Sequence, residues 1–120
     1  MTLSLYVKTI PHKDQRYDTV GDWYDDNGTF HFRISDCKNK KYEWLLAIHE
    51  IIERALCDVN GVSAEAVDKF DNKFKGDGEP GDSPRSPYKT EHCFATAVER
   101  MVCAAMGVSW SEYDDFVSRL

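Results

Sequence analysis

The sequence predicts an α+β domain in which N-terminal antiparallel strands, including a hairpin, are followed by about four helices. Three observations carry this. Residues 3–35 alternate apolar and polar side chains around an Asn-Gly turn, the period becomes helical from about Lys40, and later helical stretches are separated by glycine- and proline-bearing breaks.

Leu3 to Ile10 is rich in branched and aromatic residues and stops at Pro11, which reads as a first strand. Val20 to Tyr24 and Thr29 to Ser35 flank Asp25-Asp26-Asn27-Gly28, where Asn-Gly supplies the positive φ angles of a tight hairpin turn. In the second arm Phe30, Phe32 and Ile34 point one way and His31, Arg33 and Ser35 the other, so one face is apolar. Between about Lys40 and Asn60 a central helix is expected, with Leu45, Ile48, Ile52 and Leu56 as its apolar stripe and Gly61 as its stop. Ser63 then caps a second helix. Val62 is placed to staple against Val67, and Phe70 and Phe74 extend the inner face up to Gly76. Residues 76–88 hold three prolines and three glycines, a density that neither a helix nor a central strand tolerates, and predict a flexible loop. Thr90 is expected to cap a third helix running to Met106 and closed by Gly107. Ser109-Trp110-Ser111-Glu112 forms a capping box for a last helix whose Trp110, Tyr113, Phe116, Val117 and Leu120 are apolar.

Length and composition bound what this fold does. The 120 residues suit one domain, with strands and hairpin in 1–35, the motif helix in 40–60, the loop in 76–88 and C-terminal helices in 90–120. Hydrophobic residues make up 42% and charged residues 30%, as in ordinary globular proteins. The net charge of -6 comes without a basic cluster, which argues against nucleic acid as a partner. Apolar runs such as Trp44 to Ile48 are far shorter than the roughly 20 residues that span a bilayer, and the N-terminus lacks a basic segment followed by an apolar one; a cytoplasmic protein without membrane contact is expected. Cys37, Cys57, Cys93 and Cys103 show no short paired spacing and read as reduced core thiols.

The chemistry lies on the central helix. His49 and Glu53, four residues apart, project together among Leu45, Ile52 and Leu56. A carboxylate set among aliphatic side chains has to be paired, protonated or bound to a metal. Zinc accepts imidazole nitrogen and carboxylate oxygen, and its hydrolytic sites commonly use three protein ligands. The third is expected from His92, near the start of the third helix, where His92, Ala95, Glu99 and Val102 share a face; Glu99 is then placed to orient a ligand from behind. The bland readings are a plain His49–Glu53 hydrogen bond, an exposed His92, a Glu99 paired with lysine or arginine, and a surface ion pair between Glu50 and Arg54. His12 and His31 read as surface residues, and Phe70, Phe74, Trp110 and Tyr113 as core.

These residues resemble the zincin metallopeptidases, whose signature is His-Glu-x-x-His on a helix beside an antiparallel sheet edge, with a third ligand from a later helix. The resemblance covers about Phe30 to Glu99 and implies a zincin-like fold. By the same resemblance His49 is the first zinc ligand, Glu50 the general base acting on zinc-bound water, and Glu53 the second ligand, standing where the family has histidine. The whole chain also resembles small proteins encoded by bacteriophages and prophages, which implies a host-cell cytoplasmic setting.

Two other functions compete with a zinc hydrolase. Glu50-Ile51-Ile52-Glu53 followed by Glu65-Ala66-Val67-Asp68 is similar to the paired carboxylate motifs of the MazG-like nucleotide pyrophosphohydrolases, which implies magnesium held against a triphosphate. The non-enzymatic alternative is a phage accessory protein whose acidic surface and long loop bind a host protein or a small ligand.

Overall fold

A computed structural model describes residues 2–120. Three strands, β1 (Ser4–Ile10), β2 (Gly21–Asp26) and β3 (Thr29–Ser35), precede four helices: α1 (Lys40–Asn60), α2 (Ala64–Lys73), α3 (Lys89–Ala105) and α4 (Trp110–Ser118). The expected order of strands followed by helices is what the chain adopts. Asn27 (φ 49) and Gly28 (φ 79) make the hairpin turn, both left-handed, as the Asn-Gly signal requires.

The sheet is not wholly antiparallel. Its order is β1-β3-β2; β2 pairs antiparallel with β3, whereas β1 runs parallel to β3, with Ser4 opposite Thr29 and Ile10 opposite Ser35. The physical reason is the connection: residues 11–20 cross the sheet before β2 starts, so β3 returns between its two predecessors. Phe32 and Ile34 of this central strand are buried under α1, while Leu5, Tyr6 and Val7 on edge strand β1 are exposed. Arg16, in the crossing segment, grips Asp22 of β2 through two nitrogens at 2.6 and 2.8 Å and reaches Asp68 of α2 at 3.1 Å, tying α2 to the sheet.

Helix α1 follows its caps. Asn39 accepts from the backbone N–H groups of Lys41 and Tyr42, and Gly61 closes the other end at φ 75. Its buried face is rotated from the expected stripe. Leu45 is fully buried, but Ile48, Ile52 and Leu56 lie only half-buried at the margin, and the hidden face runs through Leu46, His49, Glu50, Glu53, Arg54 and Cys57. The alternative reading of Glu50 and Arg54 as a surface ion pair is not met. Arg54 turns to Asp25, at 2.6 Å, and its guanidinium lies 4.9 Å from the ring centres of Trp23 and Phe30.

Two apolar clusters flank this polar face. One gathers Ile34, Leu45, Leu46, Cys103 and Tyr113, the other Trp23, Phe32, Cys57, Val67 and Tyr88. Cys37, Cys57 and Cys103 are buried free thiols; Cys93 is the exception to the core reading, because it points outward from α3. Helix α3 also begins one residue before Thr90, on Tyr88 and without a side-chain cap, since the loop leads straight into the first turn. Ser63 and Ser109 cap α2 and α4 as their positions predict, though α2 ends at Lys73, short of Gly76. His31 and Trp110 are half-buried, and His12 hydrogen-bonds Ser35 through Nδ1 at 2.8 Å. Among the described residues no helix is long and apolar enough to cross a membrane.

Candidate metal centre

The i,i+4 spacing on α1 brings His49 Nε2 to 3.1 Å from Glu53 Oε2. Helix α3 lies along α1 and delivers His92, whose Nδ1 is 2.9 Å from the same oxygen. One carboxylate oxygen therefore faces two imidazoles, whose rings meet edge to face at 4.9 Å. All three residues are buried, and their donor atoms lie within 4.8 Å of one another, close enough to converge on a single ion. They are the residues the sequence singled out.

Two of the three candidate ligands are held from behind. Glu53 Oε1 accepts from Trp23 Nε1 at 3.0 Å, and Trp23 is in turn capped by Arg54 on the Asp25 carboxylate. Glu99 Oε1 lies 2.8 Å from His49 Nδ1, and its other oxygen accepts from the buried Tyr113 hydroxyl of α4. This His–Glu–Tyr chain is the arrangement that fixes the tautomer and orientation of a metal-binding histidine. Glu99 thus sits where the face of α3 predicted, while Tyr113 was legible only as a core aromatic and Trp23 only as part of a strand.

Burial works against every charge here, and the hydrogen bonds and ion pairs decide the outcome. Burial alone pushes His49 down, but Glu53 and Glu99 together hold it well above its ordinary value. His92 is likewise brought up to about 10 by Glu53 and Glu79, against its own burial. Burial pushes Glu53 up, yet the bonds from His49 and His92 bring it down to about 2. Both rings are thus held in their protonated form beside Glu53, and a cation would have to displace those protons to bind there.

Glu50 is set differently. It is buried beside the others and lines the same cleft, of about 700 Å³, but takes no hydrogen bond or ion pair from the described residues. Burial first, and the neighbouring Glu53 second, push its carboxyl well above the usual range. It lies against β2 at Gly21, where a Cβ would overlap the Glu50 side chain, so only glycine leaves that carboxyl its place.

The loop before α3 is folded against the site. Pro80–Asp82 forms a 3-10 turn, and Gly81 packs so tightly on the His92 ring that any side chain there would overlap it. Glu79 and Asp82 reach His92 Nε2 at 3.0 and 3.2 Å. Neither was singled out in the sequence, although the loop's acidity just ahead of His92 was a visible signal. By contrast, Glu65 is exposed and Asp68 is taken by Arg16, so the carboxylates of the nucleotide-hydrolase resemblance do not gather with Glu50 and Glu53.

No family model, curated protein or solved structure matches this chain. Its chemistry is read from the residues themselves.

Proposed function

We propose that this chain is a zinc-dependent hydrolase of peptide-like acyl bonds, with His49, Glu53 and His92 holding the ion and Glu50 as general base. The observation that carries the reading is the convergence of two imidazole nitrogens on Glu53 Oε2, at 3.1 and 2.9 Å, inside an open cleft. Two histidines and one carboxylate are a known donor set of hydrolytic zinc sites. The same set also serves ferrous iron, so metal analysis has to read both elements.

A zinc ion at this position supplies Lewis acidity towards a carbonyl or water oxygen. The chain's own groups do the rest. Glu99, backed by Tyr113, keeps the Nδ1 side of His49 occupied and leaves Nε2 directed at the centre. Trp23 prevents the Glu53 carboxylate from rotating away. Glu50 has no competing partner, and its raised proton affinity suits a group that takes a proton from water and returns it to a leaving group. The apolar clusters on either side strengthen these interactions by keeping water from the ligands' backs.

The test is metal content joined to hydrolysis of a mixed peptide pool read by mass spectrometry. Wild type is expected to hold zinc and cleave. Glu53→Gln should lose most of the zinc, whereas Glu50→Gln should keep it and lose about 10²–10⁴-fold in rate. Zinc retained with no cleavage in wild type would leave the site as a binding module for a host protein or small ligand. Absence of bound zinc and iron after dialysis against each would remove the metal reading altogether.

A further inference from the structure

We propose that Glu79, Asp82 and the outer nitrogen of His92 form a second divalent-cation site at the mouth of the cleft, sharing one imidazole ring with the inner centre. His92 turns Nδ1 towards Glu53 and Nε2 towards the loop, where Glu79 Oε2 and Asp82 Oδ1 lie at 3.0 and 3.2 Å. The three outer donor atoms lie within 4.8 Å of one another.

The decisive feature is the state of Nε2. His92 is only 5% exposed, yet this nitrogen has no hydrogen-bond partner, because both nearby oxygens sit off the axis of the ring N–H. Hydrogen bonds weaken steeply away from that axis. A cation on the axis takes the ring nitrogen head-on and the two carboxylates from the flanks. Among the described residues, Glu79 and Asp82 have no cationic side-chain partner except this same ring; Lys89 donates to the Asp82 backbone oxygen instead. The loop is shaped to present them: Pro80 starts the turn, and Gly81 packs so closely on the ring that both neighbouring carboxylates reach its outer nitrogen.

One imidazole and two carboxylates select a divalent transition ion, with zinc and manganese as the class members to use as probes. Both carboxylate side chains are 61% exposed, so this ion exchanges with solvent and binds more weakly than the inner one. If both centres filled, His92 would give up both of its ring protons to solvent, one from each nitrogen, and hold the two ions as an imidazolate. The outer ion would also clasp the loop onto α3.

Equilibrium dialysis against Zn2+, and separately Mn2+, with metal quantification on wild type and on the double variant Glu79→Gln, Asp82→Asn, tests the assignment. Circular dichroism checks the fold of the variant, whose altered side chains are exposed. Wild type is expected to saturate at two ions per chain and the variant at one. One ion in both proteins would overturn the outer site and leave the inner centre standing. One ion in wild type and none in the variant would support the outer site and dismiss the inner one. No uptake by wild type would dismiss both.

Discussion

Glu53 of α1 and His92 of α3, 39 positions apart in the chain, meet at 2.9 Å with both side chains buried, and this contact closes the centre across the helix pair. His49 meets the same Glu53 oxygen and is itself oriented by Glu99 and Tyr113. A buried carboxylate that has lost its partner is costly, so loss of His92 would cost the fold stability as well as open the cluster.

The support behind His49 can be tested without touching a ligand. Tyr113→Phe removes the hydroxyl that Glu99 accepts from and leaves that buried oxygen unpaired. The expected cost is about 1.5–3 kcal/mol in denaturant unfolding. Zinc affinity should fall by roughly 10–100-fold, as for other groups that orient a metal ligand. A loss of stability with unchanged affinity would mean that Tyr113 serves the core alone.

Gly21→Ala addresses Glu50. The added Cβ cannot coexist with the present Glu50 side chain, and the three atoms it meets most closely all belong to Glu50. Zinc content should therefore stay at the wild-type level while peptide cleavage drops at least as far as in a partly displaced base, about 10²-fold. Cleavage at the wild-type rate would dismiss Glu50 as the base.

A pH-dependent contribution to stability is expected from Asp71, outside the centre. Burial pushes its carboxyl up to about 6, against the hydrogen bonds from Tyr88 and Tyr17 that pull it down. Below about pH 4 it is protonated in both folded and unfolded chains; as pH rises from the ordinary 3.8 to about 6, the unfolded chain ionises first and the fold loses stability from this group. Above about 6 the loss is complete. Asp71→Asn cannot ionise, so its melting temperature relative to wild type should rise between pH 4 and 6 and then level off. A constant difference across that window would show that Asp71 is not shifted.

Much of this molecule was legible in its sequence, and the gaps have physical causes. The Asn27-Gly28 turn, the Ser63 and Ser109 caps and the i,i+4 pairing of His49 with Glu53 depend on local geometry, and all are found where the pattern put them. The pairing of His92 with Glu53 followed from helix faces, because α3 presents His92, Ala95 and Glu99 on one side. What escaped was non-local. The parallel placement of β1 depends on how residues 11–20 cross the sheet, and nothing in the period of a strand reveals its partner's direction. The buried face of α1 was misread by its aliphatic residues because the charges there are satisfied by distant groups: Asp25 for Arg54, Trp23 for Glu53 and Glu99 for His49. Gly21 and Gly81 matter for what they leave room for, which only packing discloses.

The central claim is tested most directly by anomalous diffraction at the zinc edge from crystals equilibrated with zinc. The account predicts a peak in direct contact with His49 Nε2, Glu53 Oε2 and His92 Nδ1, and its disappearance in Glu53→Gln crystals. Well-ordered zinc-soaked crystals with no peak there, and with the two histidines still hydrogen-bonded to Glu53, would contradict it.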